Sequence, residues 1–179
     1  MNKISIVAIC AALAVAPVLA QSPNDKANVN SAMEAPLSTA EFVRQVATST
    51  MMQIRLSQIA SDKATDASTQ AYTKQMVADQ TRTLDELKGL TQNGAVKQSL
   101  PLTLSDAQRK MLEKLKDLSN AEFAKQYRHD QLATHRHTVA LFERYAQAGD
   151  NAALRDWAAK ILPALRQRVQ MAEGLEQSS

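Results

Sequence analysis

A glutamine at 53, a glutamine at 80, a histidine at 135 and an arginine at 168 each interrupt an otherwise apolar helical stripe, one in each of four long segments. When such segments pack as a bundle these side chains converge on its centre, which is where helical bundles hold metals and cofactors. The chemistry open to this set is narrow. Gln53 and Gln80 are neutral amides and poor ligands for a transition metal, leaving His135 as the single good donor. Arg168 is a donor only and keeps its proton, so in a core it costs several kcal/mol unless it meets an acid or water. Asp79, Asp130 and Glu143 are the acids expected within its reach.

Other chemistries find less support. A di-iron centre in a bundle needs several carboxylates and Glu-x-x-His pairs, and no Glu of this chain has a His three positions later. His135 and His137 are two apart, which on a helix turns them about 200° from each other, and His129 misses the same face. His135 therefore reads as a core imidazole hydrogen-bonded to Gln80, Gln53 or Tyr127. Met51 and Met52 read as core filler. No glycine-flanked serine follows a strand and no glycine-rich phosphate loop is present, so no catalytic constellation is recognisable. Aromatic residues make up 4% of the chain and its 21 Lys and Arg stand against 18 Asp and Glu without a basic run, which argues against nucleic acid as a partner.

The elements that must position the four side chains follow from period and capping. Few glycines and much Ala, Leu, Gln, Lys and Arg favour helix. Ser38 with Glu41 predicts a capping box opening a helix that runs to about Asp62, with Phe42, Val46, Gln53, Leu56 and Ala60 inward. A second helix, from about Asp66 to Thr91, repeats Tyr72, Met76, Gln80, Leu84 and Leu87 and ends at Asn93-Gly94. Ser105 starts a short helix whose Met111, Leu112, Leu115 and Leu118 give it one apolar side. Ser119 and Glu122 open a third long helix, to Ala148, with Tyr127, Gln131, His135, Val139, Phe142 and Ala146 inward. Asp150 is expected to cap the fourth, in which Leu154, Ala158, Ile161, Leu165, Arg168, Ala172 and Leu175 face in and Pro163 introduces a kink.

Short links make each long pair an antiparallel hairpin, and the stretch from Gln92 to Ser119 is long enough to cross the bundle. The expected fold is all-α, a ferritin-like four-helix bundle with one long crossover containing a short extra helix. It occupies residues 38–176, after a signal peptide at 1–20 and a flexible leader at 21–37. Lys3 followed by the uncharged run from Ile4 to Ala20 is the layout of a cleaved secretory signal, which predicts export to the periplasm or cell envelope with no transmembrane helix after signal removal. Cys10, the one cysteine, lies inside that segment, which excludes disulfides and thiolate metal sites from the exported protein.

Four strings, FVRQVATSTMMQIRLSQIA, KQMVADQ, FAKQYRHDQLATHRHTVALFERYA and WAAKILPALRQRVQMA, resemble the domain of unknown function 4142 family, an exported bacterial group with a ferritin-like bundle often labelled as outer membrane proteins. The resemblance spans about Thr39 to Leu175. It implies an envelope or stress-related role. The family's pattern usually has Glu at the position of Gln53, Asp-His at Asp79-Gln80, Phe-Asp at Phe123-Ala124, and His at both His135 and Arg168. Of that polar set this chain keeps Asp79 and His135, so its residues do not carry over the metal-related chemistry that the pattern implies.

The sequence thus points to a non-enzymatic structural or binding protein with no cofactor, whose Gln53, Gln80, His135 and Arg168 form a buried polar layer. The alternative is a metal- or small-ligand-binding protein, with a redox role, using His135 and a carboxylate from Asp79, Asp130 or Glu143. A third reading makes the apolar side of the short helix a partner-binding ridge. Partners are otherwise unspecified, an envelope protein or a second copy of the chain being the two classes consistent with the sequence.

Overall fold

The computed structural model describes residues 37–64 and 66–177; the expected signal peptide and residues 21–36 of the leader lie outside them. Among the described residues the regular structure is five helices and no strand: α1 Thr39–Lys63, α2 Ala67–Gln92, α3 Asp106–Lys116, α4 Asn120–Ala148 and α5 Ala152–Gln177. None is long and apolar enough to cross a membrane.

Side-chain caps set the helix starts. Ser38 accepts from the Glu41 backbone N–H, but the expected return bond is missing because Arg44 and Gln45 occupy the Glu41 carboxylate. Asp66 caps α2, and full capping boxes open α3 at Ser105 and α4 at Ser119. At α5 the expectation fails by one residue: Asn151 Oδ1 accepts the Leu154 N–H at 2.9 Å, while Asp150 faces the start of α1 and takes the Thr39 N–H. Both residues are suited to capping, and the neighbouring helix end claims the first. Gly94 turns the chain at φ +79°, the left-handed region that glycine enters without penalty. Val96 is thereby folded back into the core. α5 continues through Pro163 as one helix.

The helices pair as two hairpins, α1 with α2 and α4 with α5, and the hairpins meet through α1 against α4 and α2 against α5. Directions follow from the cross-links. Gln53 and Ser57 of α1 meet Gln131 and Tyr127 of α4 in reverse order. Glu86 and Thr83 of α2 likewise meet Trp157 and Arg168 of α5. α1 and α5 therefore point one way, α2 and α4 the other, and the segment between α2 and α4 returns along the length of the molecule. α3, within that segment, lies against α1. Its Leu112 is buried, with Leu115 and Leu118 partly so against the same core, and only Met111 of its apolar side is 49% exposed. The leucines of the expected partner ridge are thus spent on the fold itself.

The interior has two apolar clusters. One, at the start of α1, gathers Phe42, Val46, Leu87, Phe142, Tyr145, Leu154 and Trp157, joined by Leu37 from the last position of the expected leader. The other, at the far end, gathers Leu56, Tyr72, Met76, Phe123, Tyr127 and Leu175. Packing in the first leaves little slack. Gly149 ends α4 with its N–H on the Tyr145 carbonyl, and a Cβ there would lie 2.5 Å from the Tyr145 ring and 2.7 Å from that carbonyl oxygen. The ring is fully buried and stacked on Phe42 at 4.0 Å, so it has nowhere to go. Gly149→Ala is expected to lower unfolding free energy by about 2 kcal/mol, the usual scale of overpacking. Urea titration measures this, and a loss below about 0.5 kcal/mol would show that the end of α4 gives way.

Candidate functional site

Between the two apolar clusters lies a polar band. Gln53, Gln80, His135 and Arg168 are 4%, 6%, 1% and 7% exposed, and Thr50, Ser57, Thr73, Thr83 and Gln131 are buried beside them. The helical period that places one polar residue per helix on the inner face thus places more than one. Gln131, read as part of an inward stripe, is a full member of the band, and its signal was there: an amide four residues before the histidine on the same face.

The band divides into two hydrogen-bonded groups. In the first, Gln131 Nε2 donates to Gln53 Oε1 at 2.8 Å, and its Oε1 accepts from the Tyr72 hydroxyl at 3.4 Å. The same hydroxyl lies 3.1 Å from His135 Nε2. His135 therefore pairs with Tyr72, reaching diagonally from α2 to α4, and not with Gln80, Gln53 or Tyr127. Tyr127 meets Ser57 instead, at 3.0 Å. Burial, and then the positive charge of Arg168, hold the imidazole down at about 4, so it is neutral at ordinary pH. Burial pushes the Tyr72 and Tyr127 phenols up, keeping both protonated.

In the second group Arg168 Nη2 donates to the Asp79 carbonyl at 3.2 Å and to Thr83 Oγ1 at 3.1 Å. The Thr83 hydroxyl donates its own hydrogen bond to the same carbonyl. The Asp79 carboxylate stands 4.0 Å from Arg168 Nε, near enough for charge but leaving that buried N–H without a hydrogen-bond acceptor. Burial lowers the guanidinium's proton affinity and Asp79 opposes the shift. Of the three acids expected near Arg168, Asp79 alone is there. Asp130 accepts from Gln126 on its own helix, and Glu143 pairs with Arg166. Gln80 is buried in the band, yet no hydrogen bond joins it to the other three expected members among the described residues. His129 faces Glu176 on the outside and His137 is exposed.

This donor set does not suit a di-iron or other multi-carboxylate centre. Among the described residues no group of three or more His, Cys, Asp or Glu lies together as an ion would need. The one central imidazole has its Nε2 on a phenol and a guanidinium for a neighbour, which repels a cation. Two clefts reach the band instead. One, of about 900 Å³ between α2 and α5, passes Tyr72, Asp79 and Arg82. The other, of about 530 Å³ on the α1 and α4 side, passes Met52, Gln53 and Gln80. Both are lined by Thr83 and Arg168.

A protein all-helical over its described residues, with an internally hydrogen-bonded polar middle and two clefts lined by one buried arginine, is the class that these features define. The family model described as Domain of unknown function (DUF4142) matches residues 23–175, and the chain belongs to that family. No curated protein and no solved structure matches it.

Proposed function

We propose that the protein is an exported, non-enzymatic component of the periplasm or cell envelope, built as a ferritin-like four-helix bundle with one long crossover, in which the polar band fixes helix register and leaves room for a small ligand. The observation that carries this reading is that most of the band's polar side chains bond to one another, Gln80 and the Arg168 Nε apart: Gln53 with Gln131, Gln131 and His135 with Tyr72, Arg168 with Thr83 and the Asp79 carbonyl. A layer so connected makes one alignment of the helices better than its neighbours, because a slipped register would bury unpaired amides and a guanidinium. Catalysis needs groups held in reserve for a substrate, and the imidazole and both phenols here are engaged or held protonated. The up-down-down-up course of the long helices supports the ferritin-like topology, and Lys3 with the apolar run after it supports export.

Elemental analysis tests the choice against the metal-binding alternative. Protein incubated with iron, zinc and copper and then dialysed exhaustively is expected to retain well under one ion per chain. Stoichiometric retention that disappears in His135→Ala would replace this reading with a metal site at His135. Cell fractionation tests the location, with the chain recovered in periplasmic or envelope fractions.

A further inference from the structure

His135 sits where the two hairpins meet, 1% exposed, with a positive charge acting on it and no negative one beside it. From α2 the Tyr72 hydroxyl stands 3.1 Å from its Nε2, and from α5 the Arg168 guanidinium acts on it through space. α1 reaches the group only through Gln53, a neutral amide bonded to Gln131 of α4, and Tyr127 of α4 lies behind Tyr72 with its ring edge-on at 6.3 Å. The carboxylate of the band, Asp79, stands with Arg168 instead. Burial and then Arg168 hold the imidazole down at about 4. A proton arriving there meets a cation in a medium of low polarity, where like charges repel more strongly than in water.

Arg168 is the partner that can yield. Its Nη2 holds Thr83 and the Asp79 carbonyl, but its buried Nε has no acceptor, the Asp79 carboxylate being 4.0 Å away and just out of reach. A buried donor without an acceptor makes the inward position costly. Beside it lies the cleft of about 900 Å³ between α2 and α5, lined by Arg168, Thr83 and Asp79, with room for a guanidinium. The long arginine stem lets the head move toward water while its methylenes stay packed. Outward movement exchanges two bonds to neutral oxygens for a charge-assisted pair with Asp79. Asp79 and Glu86 attract the head and Arg82 repels it. Arg82 is 71% exposed, so water and salt weaken its share. We propose that His135 and Arg168 form an acid-driven switch: a proton on the imidazole expels the Arg168 head from the polar band into the α2 and α5 cleft, onto the Asp79 carboxylate.

The switch goes beyond the register role suggested above and does not depend on a ligand. Nuclear magnetic resonance of the nitrogen-15-labelled protein reads it at the Arg168 Nε–H. At pH 6.5 this group is expected to be protected from exchange with water, relative to free arginine at the same pH. At pH 4 the protection should fall by at least about fivefold, the scale set by a pKa difference of somewhat under one unit, with helicity unchanged. His135→Gln keeps a hydrogen-bonding group beside Tyr72 and removes the titration, so its protection should be the same at both values. In Arg168→Met the His135 imidazole should take up its proton at higher pH than in the parent, read from its ring-carbon shift in a His129→Gln, His137→Gln background. If Arg168→Met does not fold, the comparison of parent with His135→Gln decides the matter. Protection that ignores pH in the parent, that falls equally in His135→Gln, or that falls only together with helicity would each overturn the switch, as would an unraised imidazole midpoint in folded Arg168→Met.

Discussion

Acidification from pH 6.5 to about 4 is expected to cost the native state on the order of 3 kcal/mol through His135 alone. The unfolded imidazole takes up its proton near its ordinary value of 6.5, while in the fold burial and Arg168 hold that uptake back to about 4. Across that window the unfolded chain binds the extra proton, so stability falls as pH falls and is fully present above the unfolded value. Each pH unit separating the two states is worth about 1.4 kcal/mol. His135→Gln keeps a hydrogen-bonding partner for the Tyr72 hydroxyl, since an amide can donate or accept, and removes the titration, so its unfolding free energy should be flatter between pH 6.5 and 4.5 than that of the parent. Carboxylates held low by their caps and neighbours do not obscure the comparison. Glu41 and Asp66 are both brought down to about 2, by Arg44 and by Ser68 respectively, so their stabilising effect is lost below their unfolded values of 4.5 and 3.8. Parallel pH profiles for parent and variant would refute the burial of a neutral imidazole.

Phe42→Ala should be the most damaging single truncation, at about 4 kcal/mol. Its ring is fully buried and touches three others: stacked on Tyr145 at 4.0 Å, edge-on to Phe142 at 5.0 Å and edge-on to Trp157 at 6.4 Å. It is the one ring through which α1 grips the junction of α4 and α5. Truncation loses the transfer free energy of the ring and leaves a cavity that three rigid aromatics cannot close, and each lost ring pair adds about 0.5–1.5 kcal/mol. Against a total of about 5–15 kcal/mol for a domain, this is a large fraction. Denaturant unfolding should show the midpoint falling with an unchanged slope. Phe42→Leu, which keeps most of the volume, should cost far less. A loss under about 1.5 kcal/mol for the alanine variant would mean that the aromatic cluster is looser than described.

Helix positions and inward faces are readable along the chain because period and caps are local. Phe42, Val46, Gln53, Leu56 and Ala60 face in as the spacing demands, and Ser105 and Ser119 cap their helices. What depends on how one helix is set against another is not readable. Pairing His135 with Tyr72 requires knowing which residues face each other across the diagonal of the interior, and the period of a single helix contains no such information. The same holds for Arg168, which has three acids within plausible reach until the height of α5 beside α2 is known. Trp157 is hidden by its neighbour Ala158, which already completes the stripe. Its indole N–H leaves the core to reach Glu86 at 2.8 Å, so its site is half interior and half rim. The start of α5 illustrates a closer limit: Asp150 and Asn151 are equally good caps, and the backbone of Thr39, far away in sequence, separates them.

The order of the helices along the chain has a kinetic side. Each hairpin is continuous in sequence, residues 39–92 and 120–177, so most of the interhelical surface joins partners that are near neighbours along the polymer. Such local topologies condense on the microsecond to millisecond scale, because little loop entropy is surrendered before contacts repay it. The long return between the hairpins is the one distant closure. Segment-wise assembly is the route that this connectivity favours, two halves maturing separately and then docking through residues such as Gln53, Gln131 and Tyr72. For a chain exported as proposed, that route would let each half become native soon after it emerges.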